Sequence, residues 1–127
     1  MWNTPSPERL ALIPRLYETE DIPIQAKLIY LHFFVAGCDW YIAEYCEQDQ
    51  DTMWGYCVLY DNQFGEWGYV SLNELQSIKV AGFLEVDCEL EDYWRIRPAI
   101  EVETIRTAHG WQYPPSTVST RVETRTT

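Results

Sequence analysis

The stretch that most constrains the fold runs from residue 26 to residue 46 and reads AKLIYLHFFVAGCDWYIAEYC. Two runs rich in aliphatic and aromatic residues flank Ala36-Gly37-Cys38, a pattern typical of two strands joined by a short turn. When Val35 is placed opposite Asp39, both faces of this ribbon are largely apolar. A ribbon of that kind belongs at the centre of a sheet, covered on one side by helix and partly covered on the other.

The sequence before and after this ribbon contains signals for two helices and for further strands. Ser6 before a proline predicts the cap of a first short helix, and Ser71 with Glu74 has the capping-box spacing of a second. The pattern of residues 52–60 predicts a third strand. After a turn, residues 66–70 are expected to form a short fourth strand, and one or two more strands follow. We therefore predict an α+β fold, a mainly antiparallel sheet of about five strands with two short helices packed on it.

The periodicity fades near residue 104, and TAHGWQYPPSTVSTRVETRTT contains a Pro-Pro pair and no clear apolar spacing. A length of 127 residues suits one domain. We predict a single α+β domain over residues 1–103 and an extended or disordered tail over residues 104–127.

The charge of the chain is strongly negative and uneven. The formal net charge is −11, and residues 1–103 hold six basic and 19 acidic residues, hence −13. A domain this acidic repels phosphate backbones, so direct binding to nucleic acid is disfavoured. Two interpretations remain: the charge keeps the protein in solution by repulsion, or it attracts a basic protein partner.

The sequence also bears on compartment and cofactors. No apolar run approaches the eighteen or so residues that a membrane span needs, and the N-terminus has no secretory pattern, so we expect a cytoplasmic protein with no membrane partner. The four cysteines include no C-x-x-C pair, which favours reduced core residues over a zinc site. No cofactor is predicted.

Three acids stand close together in the segment EYCEQDQDTMWGY, residues 44–56. Glu47, Asp49 and Asp51 do not fit the EF-hand spacing, because the fifth position from Asp49 is Met53. An exposed hairpin loop is the favoured interpretation, with weak binding of a divalent cation or a part in catalysis as alternatives.

Glu44 draws more interest than the loop acids, because it lies in the middle of a strand among aromatic residues. In the predicted register Tyr30 lies opposite Glu44, and His32 points to the same face. A buried carboxylate must find donors or take up a proton. We therefore predict a polar cluster of these three residues, with a satisfied hydrogen bond at the core edge as the alternative.

Aromatic residues alternate along the segments W40-Y41, W54-G-Y56 and E66-W67-G68-Y69. Core packing is the favoured interpretation, and a stacking platform for a ligand is the alternative. Gly55 and Gly68 are expected to mark bulges or close strand crossings. The candidate binding residues are Glu44, Tyr30, His32, Glu47, Asp49, Asp51, Glu66 and Trp67.

The order of the segments LIPRLYETEDIP, DWYIAEY, DQDTMWGY, GEWGYVSLNEL and LEVDCEL resembles a bacterial family, domain of unknown function 2958. The resemblance covers roughly residues 10–98, and Glu66 to Leu75 is its most specific part. Its members usually carry an Arg-Asp pair where this chain reads EVDCELEDYW, so no role for an arginine carries over. The resemblance implies a genetic context of plasmids, phages and anti-restriction genes. It does not imply any particular reaction.

Three functions stay open. The leading hypothesis is a non-enzymatic binding or modulator protein of a mobile-element or defence-related system, whose acidic face engages a basic protein surface, with DNA mimicry as one form. A metal-dependent hydrolase that uses Glu44 with Asp49 and Asp51 is the enzymatic alternative. A subunit that buries its aromatic face in an oligomer is the structural alternative. The sequence contains no familiar catalytic or metal-binding motif.

Overall fold

The computed structural model describes residues 1–59 and 62–113. In chain order its strands are β1 (Leu28–Ile29), β2 (Leu31–Val35), β3 (Cys38–Tyr45), β4 (Thr52–Leu59), β5 (Asn62–Ser71), β6 (Lys79–Val80), β7 (Leu84–Glu85), β8 (Asp87–Cys88) and β9 (Arg97–Pro98). Its helices are α1 (Pro7–Leu12), α2 (Leu72–Ser77) and α3 (Glu103–His109), and no helix among the residues so described is long and apolar enough to cross a membrane. The main sheet is antiparallel, in the order β5-β4-β3-β2-β8. The predicted α+β class with about five strands is confirmed.

Both predicted helices begin at the predicted caps. The main-chain N–H of Arg9 donates to the Ser6 hydroxyl (3.2 Å) at the start of α1. At the start of α2, the N–H of Glu74 donates to the Ser71 hydroxyl (3.1 Å). Each helix has only six residues, so its stability comes from the side chains that it packs against the sheet.

The register of β2 against β3 differs from the prediction by one residue. Val35 pairs with Cys38 rather than with Asp39, because the turn holds only residues 36–37, and the glycine there takes a left-handed φ of 86°. The predicted register is wrong because it counted Cys38 as part of the turn. Every cross-strand neighbour of β2 is shifted by one position in consequence.

A β-bulge at Ala43 changes which side chains of β3 share a face. Gly55 of β4 pairs with Ile42, and Trp54 pairs with Glu44, which leaves Ala43 as the extra residue. The strict alternation that the sequence predicts is therefore wrong beyond the bulge. Glu44 lies on the same face as Trp54 and not on that of Ile42.

The strand β5 is longer than the predicted fourth strand. It runs for ten residues from Asn62, so residues 62–65, which the sequence places in a turn, belong to the strand. Gly65 takes a φ of 71°, and a Cβ on it would lie 2.6 Å from the ring of Tyr56. The turn prediction is wrong because this glycine fits an irregular strand as well as it fits a turn.

Apolar side chains fill both faces of the sheet. The first face, called the α2 face, carries the buried cluster Ile13, Leu31, Phe33, Val35, Cys38, Trp40, Ile42, Tyr45, Met53, Val70, Leu72, Leu75, Val86 and Cys88. The second face, called the α3 face, carries Ile29, Tyr41, Ala43, Tyr56, Val58, Trp94, Ala99, Val102 and Ile105. The sheet is thus enclosed on two sides, which fits a ribbon that is apolar on both faces.

The helix α3 lies where the sequence predicts an extended or disordered tail. Val102, Ile105 and Ala108 are three residues apart and all pack on the α3 face. The tail prediction is wrong for residues 104–109, which this helix contains. The last part of the predicted tail, residues 114–127, lies outside the described residues.

We expect Gly55→Ala to destabilise the fold strongly. A Cβ at this position would lie 1.9 Å from the carbonyl oxygen of Tyr41, so the strands at the bulge would have to separate. The expected loss is about 2 kcal/mol or more of the free energy of unfolding, measured by urea denaturation.

Gly68→Ala is the matched control, because a Cβ there would have no atom within 4 Å. Its stability should stay the same or rise by up to about 1 kcal/mol, since alanine restricts the unfolded chain. Equal losses for the two variants would contradict the close approach at Gly55.

Candidate functional site

The carboxylate of Glu44 lies in the interior of the protein, and only 5% of the residue is exposed. Its Oε1 accepts a hydrogen bond from the main-chain N–H of Tyr17 (2.9 Å). Its Oε2 accepts from the N–H of Thr19 (3.2 Å) and from the Thr19 hydroxyl. A buried carboxylate must replace the water it loses with other donors, and these three donors do so.

Lys27 brings a positive charge to the same place. It is also 5% exposed, and its ammonium donates to the carbonyl and to the hydroxyl (2.8 Å) of Thr19. The ammonium nitrogen lies 5.5 Å from the ring centre of Trp54, a cation–π contact. Lys27, Thr19 and Glu44 form what we call the interior charge network, in which both buried ions are bonded.

The loop that supplies these donors is strained at Tyr17. This residue takes a φ of 70°, a left-handed conformation that is rare for an aromatic residue and costs about 1–3 kcal/mol. Its N–H is bonded to Glu44, and its hydroxyl lies 2.6 Å from the hydroxyl of Tyr69 on β5. The loop is therefore fixed to the sheet at two points.

The predicted cluster of Glu44, Tyr30 and His32 does not form. Tyr30 packs against the α2 face, whereas Glu44 lies on the opposite face with donors of its own. His32 bonds to other carboxylates. The hypothesis is wrong because Tyr30 lies on the other face of the sheet from Glu44. His32 lies on the α3 face as Glu44 does, but its ring nitrogens contact Asp39 and Glu89 instead.

His32 is held between two carboxylates. Its Nδ1 lies 2.6 Å from Oε1 of Glu89 and its Nε2 lies 2.7 Å from Oδ1 of Asp39, while its ring stacks on Tyr41 at 4.5 Å. The imidazole thus ties β2 to β3 and to the segment after β8, and both of its ring nitrogens contact carboxylates of the chain itself.

The loop acids hold the loop and a helix in place. Oδ1 of Asp49 accepts from the N–H groups of Asp51 (2.8 Å) and Thr52 (2.9 Å), and Oδ2 accepts from the Thr52 hydroxyl (2.6 Å). The bonds from Thr52, aided by the N–H of Asp51, lower the pKa of Asp49 to about 2. Asp51 accepts from the Ser71 hydroxyl (2.8 Å) and from the N–H of Asn73 (2.8 Å), at the N-terminus of α2.

These bonds bear on the alternative that the loop binds a divalent cation. Glu47 pairs with Arg15 at 3.3 Å on the surface, so each of the three loop acids contacts donors of the chain itself. Within residues 1–59 and 62–113, no group of three or more His, Cys, Asp or Glu side chains is placed to hold a metal ion. The loop therefore joins β3 to β4, and its acids bond to the loop itself, to Arg15 and to the N-terminus of α2.

Trp67 belongs to a column of aromatic rings on the α3 face. It stacks on Trp54 (5.1 Å between ring centres), and its Nε1–H donates to Nε2 of His109 (3.2 Å). His109 in turn stacks on Trp111 at 4.1 Å. These contacts bring the end of α3 onto β5, and the tryptophans of the column are half-buried against the core.

Glu66 points to the other face, where a groove lies between α2 and the strands β4 and β5. The groove has a volume of about 480 Å³. Its floor is apolar, and its charged groups within the described part of the chain are Glu66 and Glu74. Burial, with the nearby charge of Glu66 as a smaller cause, raises the pKa of the Cys57 thiol in this groove to about 11. We call this feature the α2 groove.

The fold and these sites define a small α+β protein with an enclosed antiparallel sheet, an interior charge network and an excess of acidic groups. The family described as "Protein of unknown function (DUF2958)" matches residues 15–97, more than half of the chain, and the protein belongs to this family. The matched residues contain the whole five-stranded sheet and α2. No curated protein and no solved structure matches the chain.

Sequence reasoning missed Thr19 and Lys27, which complete the interior charge network. A usable signal was present: Lys27 stands directly before an apolar strand, and Glu44 stands inside one, so each needs a partner. The pattern does not show that a threonine of the preceding loop lies between the two charges, because that contact depends on how the loop packs on the sheet.

We expect Glu44→Gln to lower the free energy of unfolding by about 2–3 kcal/mol. The amide places an NH2 group, which can only donate, where the protein already supplies donors, so a hydrogen bond is lost and a repulsive contact replaces it. Urea denaturation measures the change. Glu47→Gln, an exposed control, should shift stability by no more than about 0.5 kcal/mol.

An active-site carboxylate would behave differently. Such groups are often destabilising, and their removal commonly makes a protein more stable. A more stable Glu44→Gln variant would contradict a structural role for this carboxylate.

The stabilising effect of Asp49 should depend on pH. Its pKa is lowered from 3.8 to about 2, so its contribution is complete above about pH 4 and is lost as the pH falls toward 2. The difference between the urea midpoints of the parent protein and Asp49→Ala should be constant from pH 7 to about 4.5 and then shrink. For Gln48→Ala the difference should not change with pH. A constant difference for Asp49→Ala would refute the hydrogen bonds that Asp49 accepts from Thr52 and Asp51.

Proposed function

We propose that the protein is a non-enzymatic binding or modulator protein whose acidic exterior engages a basic surface of a partner protein. One observation carries the proposal. The fold turns the basic side chains of residues 1–103 inward or pairs them, and it leaves many acidic side chains of this part exposed and without an ion pair.

Two basic residues of the first 103 are buried. Arg9 is 8% exposed and donates to the carbonyl oxygen of Glu89 (2.9 Å), while Lys27 belongs to the interior charge network. Arg97 lies over the ring of Trp94 at 4.2 Å. These three side chains therefore make contacts within the protein and add little positive charge to its surface.

The exposed basic side chains of residues 1–103 have carboxylate partners in the same chain. The ion pairs are Arg15–Glu47 at 3.3 Å, Lys79–Glu85 at 3.1 Å and Arg95–Glu101 at 3.4 Å. Such surface pairs add little stability, but each offsets a positive charge at the exterior.

Acidic side chains remain exposed in several parts of the molecule. Those without an ion pair to another residue in the described ranges include Glu8, Glu20, Asp21, Glu74, Glu91, Asp92 and Glu103. A surface with this excess of one sign raises the local concentration of basic partners and speeds their association.

A nucleic-acid-binding groove is one kind of basic surface that such a protein would fit, which is the DNA-mimic form of the proposal. The genetic context that the family resemblance implies favours a modulator of a mobile-element or defence-related system. The hydrolase alternative has lost support, because the oxygen atoms of Glu44, Asp49 and Asp51 are bonded to the chain itself.

The proposal is tested by retention of lysate proteins on the immobilised protein across a salt series. We expect basic proteins to be retained at about 0.05 M salt and released well below 1 M, where the screening length falls to about 3 Å. A variant with Glu8, Glu20, Asp21, Glu91 and Asp92 changed to Gln or Asn should retain less.

The matched control changes the exposed uncharged residues Gln25, Asn73 and Gln76 to Ser. It should retain as much as the parent protein. Retention of nothing at low salt, or retention that does not depend on salt, would reject the proposal.

A further inference from the structure

The α2 groove combines an apolar floor with charges of one sign. Trp40 and Leu75 are buried beneath it, Ile78 is half-buried, and the charged residues that line it are Glu66 on β5 and Glu74 on α2. Among the described residues no Lys, Arg or His lines it. Its volume of about 480 Å³ lies in the range of sites that bind small ligands or peptide side chains.

We propose that the α2 groove binds a segment of the basic partner, with an apolar side chain on the groove floor and a flanking Lys or Arg between Glu66 and Glu74. This inference rests on the proposed function and names the place where the partner docks. Apolar contact supplies affinity, and the two carboxylates select for positive charge.

Gly68 supports this proposal independently of the charges. It lines the groove in the middle of β5, where a glycine weakens a strand relative to residues with side chains. A Cβ on it would meet no atom within 4 Å, and its φ lies outside the left-handed region, so neither packing nor backbone conformation calls for glycine. Because Gly68 has no side chain, the groove stays open at this position.

The environment of Cys57 fits a ligand of this kind. The thiol lies at the groove and its pKa is raised to about 11, chiefly by burial and then by the charge of Glu66. The thiol is therefore partly buried beside a carboxylate of the groove. A ligand with both an apolar and a cationic part fits such a place better than an anionic or a purely apolar ligand.

The test is a titration of ¹⁵N-labelled protein with a blocked hexapeptide that carries two lysines around a Leu-Phe pair, followed by NMR at low salt. We expect amide shifts confined to residues 57–59 and 66–78, together with the indole of Trp40. Gly68→Val should weaken binding about tenfold by filling the groove, while keeping or raising thermal stability.

Charge variants give a second, independent readout. Glu66→Gln with Glu74→Gln should weaken binding about fivefold or more, whereas Glu8→Gln with Glu103→Gln, which removes the same charge elsewhere, should change it less than about twofold. Two comparison peptides, one with glutamates for lysines and one with serines for Leu-Phe, should bind at least about tenfold more weakly.

The inference is overturned if the lysine peptide does not bind, if Gly68→Val binds it as well as the parent does, or if the shifts lie outside the groove. Equal binding of the Leu-Phe and Ser-Ser peptides, or equal losses in the two pairs of charge variants, also overturns it. Shifts that appear on concentrating the protein alone would overturn it in favour of a second copy as the occupant. These failures leave the salt-dependent retention of basic proteins as a separate result, so the two proposals fail independently.

Discussion

The interior charge network is the interaction on which the rest of the molecule depends. Burying an unpaired ion costs several kcal/mol, so Glu44 and Lys27 are tolerated only because Thr19 is bonded to both of them. The bonds that satisfy Glu44 also hold the preceding loop against the sheet, including Tyr17 in its strained conformation. The same loop carries three exposed acids, Glu18, Glu20 and Asp21.

The same use of charge links the fold to the proposed function. Because Arg9 and Lys27 lie inside, the exterior is more negative than the composition alone indicates. Asp49 and Asp51, which the sequence offers as candidate site residues, serve a loop and a helix cap. A partner would instead meet the exposed acidic side chains and the α2 groove. In the groove, charged and apolar groups lie side by side.

The sequence predicts local features well and long-range geometry poorly. The caps at Ser6 and Ser71 and the two apolar faces of the central ribbon follow from residue type and spacing, and they are confirmed. The register failed because a two-residue turn and a three-residue turn at residues 36–38 fit the same pattern, and the bulge at Ala43 leaves no mark in the alternation. The predicted cluster failed because Tyr30 lies on the other face and because Glu44 and His32 each have other partners, which the pattern does not show. The sequence did contain a signal for α3, namely apolar residues three apart followed by a glycine, Gly110, which ends the helix in the left-handed conformation. The threonines around these residues obscured the pattern.

Hydrogen exchange at the amides of Tyr17 and Thr19 tests the central claim most directly, because these are the main-chain donors to Glu44. Both lie in a loop, where amides without such bonds exchange nearly as fast as in an unfolded peptide. We expect both to exchange at least about a hundredfold more slowly than an unfolded reference in the native protein, and to lose most of that protection in Glu44→Gln. Fast exchange of both amides in the native protein would show that Glu44 does not hold the loop, and the charge network would have to be abandoned.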